Sequence, residues 1–234
     1  SDVYKRQGQK RRRKSFLENF GHETEKVVHN PEKFSKEGLK KPKCERSVMY
    51  SNINGVISGI LELNDYLRDK NPDIVGLTET KLGEREDLLM VGEGKYNVWK
   101  RNRVGKMGGG VMLLVKKDIK VDQVKEGTGK AEVLKIRVGT NEGKKRHYIV
   151  VYVPPKTNAW SVQEYEEMIR DTGTCLEGML GGCERAIMMG DFNCKEVCWE
   201  DWSMDGSETT WGNTLLTLVM ENVLTQWVKE DTRF

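Results

Sequence analysis

Four short segments carry the side chains best suited to chemistry: Asn52-Ile53-Asn54-Gly55, Thr78-Glu79-Thr80-Lys81, Tyr152-Val153-Pro154-Pro155 and Gly190-Asp191-Phe192-Asn193. Each lies at or just past the end of an apolar run that reads as a strand. Strand ends are rigid and the loops beyond them open to solvent, so such positions fix a polar group and leave room for a ligand. Glu79 follows Ile74-Val75-Gly76-Leu77-Thr78. A carboxylate leaving a buried strand is costly unless it is paired or binds a cation. Mg2+ takes one or two carboxylates plus water, which suits a lone glutamate; the alternative is an ion pair with Lys81 or Arg85. Asp191 can orient or deprotonate a water and Asn193 can hold a phosphate oxygen. In an extended strand the two face one side, although the same residues also favour an Asx turn. Tyr152 offers a hydroxyl to a phosphate, or a wet hydroxyl on a packed ring. Asn52 offers an amide to a carboxylate or phosphate, or opens a turn. Gly108-Gly109-Gly110 lacks phosphate-loop spacing and leads into a strand, which excludes that reading.

The surrounding pattern says how these segments are held. Ser47–Asn52 is β-capable. Residues 57–70 place Ile57, Ile60, Leu61 and Leu67 on one helical face, and Asn71-Pro72 ends that helix. Asp73–Thr78 reads as a buried strand. Tyr96–Arg101, Gly110–Lys116, Glu132–Val138 and Arg146–Val153 follow as strands, with Gly108-Gly109-Gly110 and Asn141-Glu142-Gly143 as turns between them. Ser161 caps a helix over roughly 161–179, with Glu164 at capping-box spacing. Arg185–Met189 is another strand. A last helix covers about 213–227, with Leu215, Leu216, Val219 and Val223 inward. The class is α/β, with a mixed sheet or two packed sheets and helices outside.

Of the 234 residues, 37% are hydrophobic and 32% charged. No apolar run reaches the ~18 residues of a membrane helix, and no secretion signal opens the chain. The five cysteines form no Cys-x-x-Cys pair and read as reduced intracellular thiols. Charge is uneven. Residues 1–46 hold 14 lysines and arginines against 7 acids, and the remainder holds 25 against 29. The flank is therefore expected to be mostly disordered, with a short helix near Phe16–Phe20. Its run Lys10-Arg11-Arg12-Arg13-Lys14 fits nucleic-acid phosphates or a nuclear address, and equally a solvated tail.

In this order and spacing, Ser51–Gly55, Pro72–Leu82, Gly108–Val115, Val150–Pro155 and Met188–Asn193 resemble the endonuclease/exonuclease/phosphatase superfamily. Within it, they are most similar to the apurinic-type endonuclease domains of non-LTR retrotransposons. The likeness covers residues 47–234 and leaves the flank aside. It implies a four-layer α/β/β/α sandwich of two mixed sheets. It also implies a Mg2+- (or Mn2+-) dependent DNA endonuclease; the reduced thiols, the basic run and the lack of an apolar span lead us to expect an intracellular, nuclear protein that is not membrane-bound. On this resemblance Glu79 is the metal carboxylate with Asn52 beside it, and Tyr152 contacts the scissile phosphate. Asp191 aligns or activates the attacking water, and Asn193 holds the phosphate. Thr232 matches a family threonine, counted with the phosphate-binding groups. The family ends in an Asp motif and a Ser-Asp-His motif, and no histidine follows Asn193 here. The expectation is a sandwich incomplete at its C-terminus, inactive as this fragment. A lipid- or sugar-phosphate phosphatase and a non-catalytic protein keeping the fold are the alternatives.

Overall fold

The computed structural model describes residues 46–83, 91–139, 143–204 and 211–227. Residues 1–45 of the flank, with the helix expected near Phe16–Phe20 and the Lys10–Lys14 run, and Arg85, Asn141, Glu142 and Thr232 lie outside the described residues. Along the chain come β1 (Val48–Asn52), a 3-10 turn (Ile57–Gly59), α1 (Ile60–Lys70), β2 (Ile74–Thr78), a second 3-10 turn (Val91–Gly94), β3 (Tyr96–Arg101) and β4 (Val111–Lys116). Then follow β5 (Val121–Glu126), β6 (Glu132–Gly139), β7 (Lys145–Tyr152), α2 (Val162–Leu180), β8 (Ala186–Asp191), β9 (Val197–Cys198), β10 (Ser203–Met204) and α3 (Trp211–Glu221).

Two four-stranded sheets form, ordered β1-β2-β4-β3 and β5-β6-β7-β8, with β9 and β10 as a small ribbon. Each sheet is mixed. β1 runs parallel to β2, and β7 parallel to β8, while β2/β4, β3/β4, β5/β6 and β6/β7 are antiparallel. Side-chain alternation builds the layers. Ile74, Leu113, Val115, Leu134, Ile136, Tyr148 and Val150 meet between the sheets. Val75, Leu77, Met112 and Leu114 point the other way, onto Leu63 and Leu67 of α1. Val133, Ile149 and Val151 pack under Met168 and Leu176 of α2 and Leu215 and Val219 of α3. The result is the expected four layers, helix–sheet–sheet–helix. Both faces of β2 are covered, so all five of its residues are buried. Gly76 sits where β2 faces the second sheet. A Cβ there would lie 2.5 Å from the Met189 sulfur, so the glycine admits β8 to the interface.

Several local readings change. The inner face of α1 carries Leu63 and Leu67, whereas Leu61 is 73% exposed and Ile57 54%. Asn71 does leave the right-handed helical region, but into the left-handed one at φ 46°, where its amide closes onto the Leu67 carbonyl. Ser161 and Glu164 do form the reciprocal capping box. α3 ends at Glu221, earlier than the apolar pattern implied. There Val223 takes φ 52°, and the Leu224 amide donates back to the Val219 carbonyl at 2.9 Å. That left-handed closure turns Val223 into solvent, 87% exposed.

Candidate active site

β1 and β2 run in parallel, pairing Asn52 with Thr78 at their ends. β7 and β8 do the same with Tyr152 and Asp191. The two sheets pack so that these ends meet. The Asn52 Nδ2 donates to Glu79 Oε1 at 3.0 Å and to Asp191 Oδ2 at 2.9 Å. The Tyr152 hydroxyl donates to the same Glu79 oxygen at 3.2 Å. Asn52, Glu79, Tyr152 and Asp191, separated by up to 139 positions in sequence, thus form one hydrogen-bonded group.

Each group has a distinct electrostatic setting. Burial pushes the Glu79 carboxyl up, but the Asn52 bond, the Lys81 charge and the Tyr152 hydroxyl outweigh it and hold it below its ordinary value. Lys81 Nζ lies 3.5 Å from Glu79 Oε2, so the ion pair open in the sequence is present. Burial, and next the Glu79 charge, push the Tyr152 phenol well up. It therefore remains a proton donor at neutral pH. The Asn52 amide nitrogen faces the carboxylates, while its oxygen accepts from the Asn54 amide at 3.3 Å. Asn52 thus bridges two carboxylates through one amide nitrogen.

Asn193 departs from the strand-like reading. β8 ends at Asp191, and Asn193 takes φ 44°. Its backbone amide donates to Asp191 Oδ1 at 3.3 Å, and its Nδ2 donates to the Val153 carbonyl at 2.9 Å. Asp191 and Asn193 thus form the Asx turn, and the asparagine ties the β8 end to the β7 end with one of its two amide hydrogens. Glu79 and Lys81 are left-handed as well, both at φ 52°. Such backbone costs ~1–3 kcal/mol per residue and gathers at functional sites. It is held from both sides. Gly55 and Val56 donate to the Glu79 and Thr80 carbonyls, and Thr80 and Lys81 donate to the Gly110 and Gly109 carbonyls.

Two participants were missed in the sequence. Glu132 is 2% exposed, pairs with Arg103 Nε at 2.6 Å and accepts from the Gly110 amide. Burial pushes its carboxyl up; the Arg103 charge and the Gly110 amide oppose that, and the Glu79 charge adds to it. The Arg103 guanidinium lies 5.5 Å from the Tyr152 ring centre and 5.4 Å from that of Trp160. The signal was a glutamate opening the apolar run of β6, a place where a charge is unexpected. Gly108-Gly109-Gly110, all at positive φ, serves this glutamate and the Glu79 turn.

Among the described residues, no group of three or more His, Cys, Asp or Glu side chains gathers as a metal cage. The donor set nevertheless fits a hard divalent cation: two carboxylates share one amide, and Mg2+ needs one or two carboxylates with waters and substrate oxygens completing its shell. The four described cysteines are free thiols.

Residues 49–215 match the Endonuclease/Exonuclease/phosphatase family. The chain belongs to that family. No curated protein matches it. Among solved structures it is similar to a 3′ phosphatase from Neisseria bound to product DNA hairpin (17% identity, TM-score 0.55, covering 74% of this chain and 71% of that one). It is also similar to an AP endonuclease from Archaeoglobus fulgidus (18%, 0.52, 74% and 69%) and to the Xenopus laevis APE2 catalytic domain (19%, 0.53, 74% and 67%). At these identities the likeness establishes the α/β fold of two mixed sheets with helices.

Proposed function

We propose that residues 47–234 form a Mg2+- (or Mn2+-) dependent DNA endonuclease domain of the non-LTR retrotransposon type, hydrolysing phosphodiesters. The observation supporting this reading is the single hydrogen-bonded group of Asn52, Glu79, Tyr152 and Asp191 at the strand ends of both sheets. Phosphodiester hydrolysis needs an aligned water, charge neutralisation on the phosphate and help for the leaving oxygen. Glu79 would hold the cation with Asn52 beside it, and the cation would supply neutralisation of phosphate charge. Asp191 aligns the attacking water and accepts its proton at a carboxylate oxygen. Tyr152 turns its one hydroxyl hydrogen from Glu79 to a phosphate oxygen when substrate binds. The free Nδ2 hydrogen of Asn193 steadies the same phosphate, with Thr232 assigned to that role by the family likeness. Residues 1–46, rich in cations, hold DNA non-specifically and act in the nucleus.

The test is plasmid nicking in Mg2+ with EDTA controls. It uses this chain and the chain extended past Phe234 through the Ser-Asp-His motif that the family likeness implies. The extended chain should nick, and Glu79→Ala or Asp191→Ala should abolish it. A well-folded extended chain that leaves DNA intact but hydrolyses a lipid or sugar phosphate would replace the endonuclease reading with a phosphatase.

A further inference from the structure

We propose that Glu132 is a positioning residue. Through Arg103 it fixes Tyr152, and through the Gly110 amide it fixes the left-handed turn at Glu79, so that one buried carboxylate sets both walls of the site. The proposal deepens the functional reading above and rests on it for its significance. The geometry is direct. Glu132 opens β6 and is the cross-strand partner of Tyr152, the last residue of β7. Its Oε1 takes Arg103 Nε at 2.6 Å, and that guanidinium lies against the Tyr152 ring. Its Oε2 takes the Gly110 amide. The Gly110 and Gly109 carbonyls then take the Thr80 amide at 3.3 Å and the Lys81 amide at 2.8 Å, which bracket the strained backbone beside Glu79. Tyr152 and Glu79 finally meet each other at 3.2 Å. Each oxygen of Glu132 therefore leads by a separate route to one partner of that bond.

Space around it leaves little alternative. A Cβ on Gly109 would fall within 2.5 Å of the Arg103 guanidinium, so the glycine loop closes against the pair because it has no side chains. Arg103 Nη1 also holds the Met107 carbonyl at 3.5 Å, anchoring the 102–110 loop at a second point. A buried ion pair is weak evidence for stability, since a well-packed apolar substitute often does as well. Here both ends of the pair lead to groups of the candidate site, and outer partners of this kind typically carry 10–100-fold effects on metal affinity or activity.

The test is Glu132→Gln in the full chain, which weakens the Gly110 acceptor from a carboxylate to a neutral amide oxygen and removes the charge that holds Arg103, and with it the anchor of the 102–110 loop at Met107. Amide hydrogen exchange is read residue by residue, because local opening and global unfolding separate there. The proposal expects exchange at Thr80, Lys81 and Gly110 to rise by about 10-fold or more. Core amides such as Val150, Leu113 and Ile136 should stay at wild-type rates. A uniform rise across β6 and β7 would assign Glu132 to the fold and overturn the proposal, as would unchanged exchange throughout. If Glu132→Gln fails to fold, Arg103→Lys reads the same connection from the other end and should loosen the Gly110 amide. Unchanged exchange there also overturns it. Mn2+ affinity, followed by calorimetry, should fall by about 10–100-fold in Glu132→Gln; unchanged affinity in a folded variant again overturns it. If the wild-type chain binds no Mn2+ and its extended form cleaves no DNA, the functional reading fails, while the exchange pattern still decides the positioning role.

Discussion

Asn52 is the bridge between the two sheets' contributions to the site, and its removal has a computable signature. Asn52→Ala deletes two hydrogen bonds to carboxylates, at 3.0 and 2.9 Å. Bonds to charged groups contribute ~1.5–3 kcal/mol each when dry. The Glu79 side chain keeps 21% of its exposure, so water replaces part of the loss and about 2 kcal/mol in total is expected at about pH 7. The sign with pH follows from Glu79, whose carboxyl is held below its ordinary 4.5 despite the opposing effect of burial, with Asn52 the strongest contributor holding it down. A carboxyl with a depressed folded value adds stability that is fully present above its unfolded value and is lost as pH falls through its folded one. The gap between wild type and Asn52→Ala should therefore be widest near neutrality and shrink below about pH 4.5. Urea unfolding followed by circular dichroism reads it. With a slope of ~2 kcal/mol/M, the midpoints should differ by about 1 M at about pH 7 and draw closer as pH falls through the depressed Glu79 value. An undiminished gap in acid would mean that Asn52 acts through packing or its turn to Asn54, and that the carboxylate bridge contributes nothing.

The metal reading makes a thermal prediction: Mg2+ at 100 times its dissociation constant should stabilise the wild type by ~2.7 kcal/mol in a melting assay and leave Glu79→Gln unmoved. Leu63→Ala should cost ~2–5 kcal/mol in chemical denaturation, because Leu63 is fully buried under the first sheet. Leu61→Ala, on the solvent side, should fall within ~0.5 kcal/mol of wild type. Gly190→Ala should destabilise more than Gly76→Ala: its Cβ would collide with the Val151 backbone carbonyl, whereas at Gly76 the flexible Met189 side chain can move. The Gly76 change is expected at ~1–3 kcal/mol, and reversed ranking in thermal melts would refute the packing argument. DNA affinity of the full chain should fall steeply with salt, and replacing Lys10–Lys14 with glutamines should flatten the log–log slope, each phosphate contact contributing ~0.9.

What could be read from the sequence tracks how completely each element is buried. β2 and β4 are covered on both faces and carry unbroken apolar runs, so their positions stood out. β5, Val-Asp-Gln-Val-Lys-Glu, has no such run. It is an edge strand paired only to β6, half-exposed and irregular between Val121 and Gln123, and those charges are what an exposed edge carries to avoid pairing with another chain. The end of α3 was hidden for a related reason. A left-handed closure is ordinarily marked by glycine or asparagine, and here a valine occupies it, where β-branching makes that backbone costly.

The site divides along the same line between local and long-range information. Glu79, Tyr152 and Asp191 were visible because each ends an apolar run, a purely local pattern. Their convergence was not local: Asn52 meets Asp191 only because both sheets end their parallel pairs at the same edge of the sandwich. Glu132 stayed hidden because its meaning depends on Arg103, 29 positions away, and on a glycine amide that looked like a turn. Glycines at 108–110 are over-determined by that arrangement. They take positive φ, approach Glu132 and Thr80 closely, and lend their carbonyls to the Glu79 turn. Under the proposed function, a segment that lacks phosphate-loop spacing would still serve phosphate chemistry, by holding in place the residues proposed to meet the phosphate. That makes the 102–110 loop and Glu132 one mechanical unit with Tyr152 and Glu79. Substitutions in the glycine run should reproduce the local loosening expected of Glu132→Gln, with the core strands unaffected.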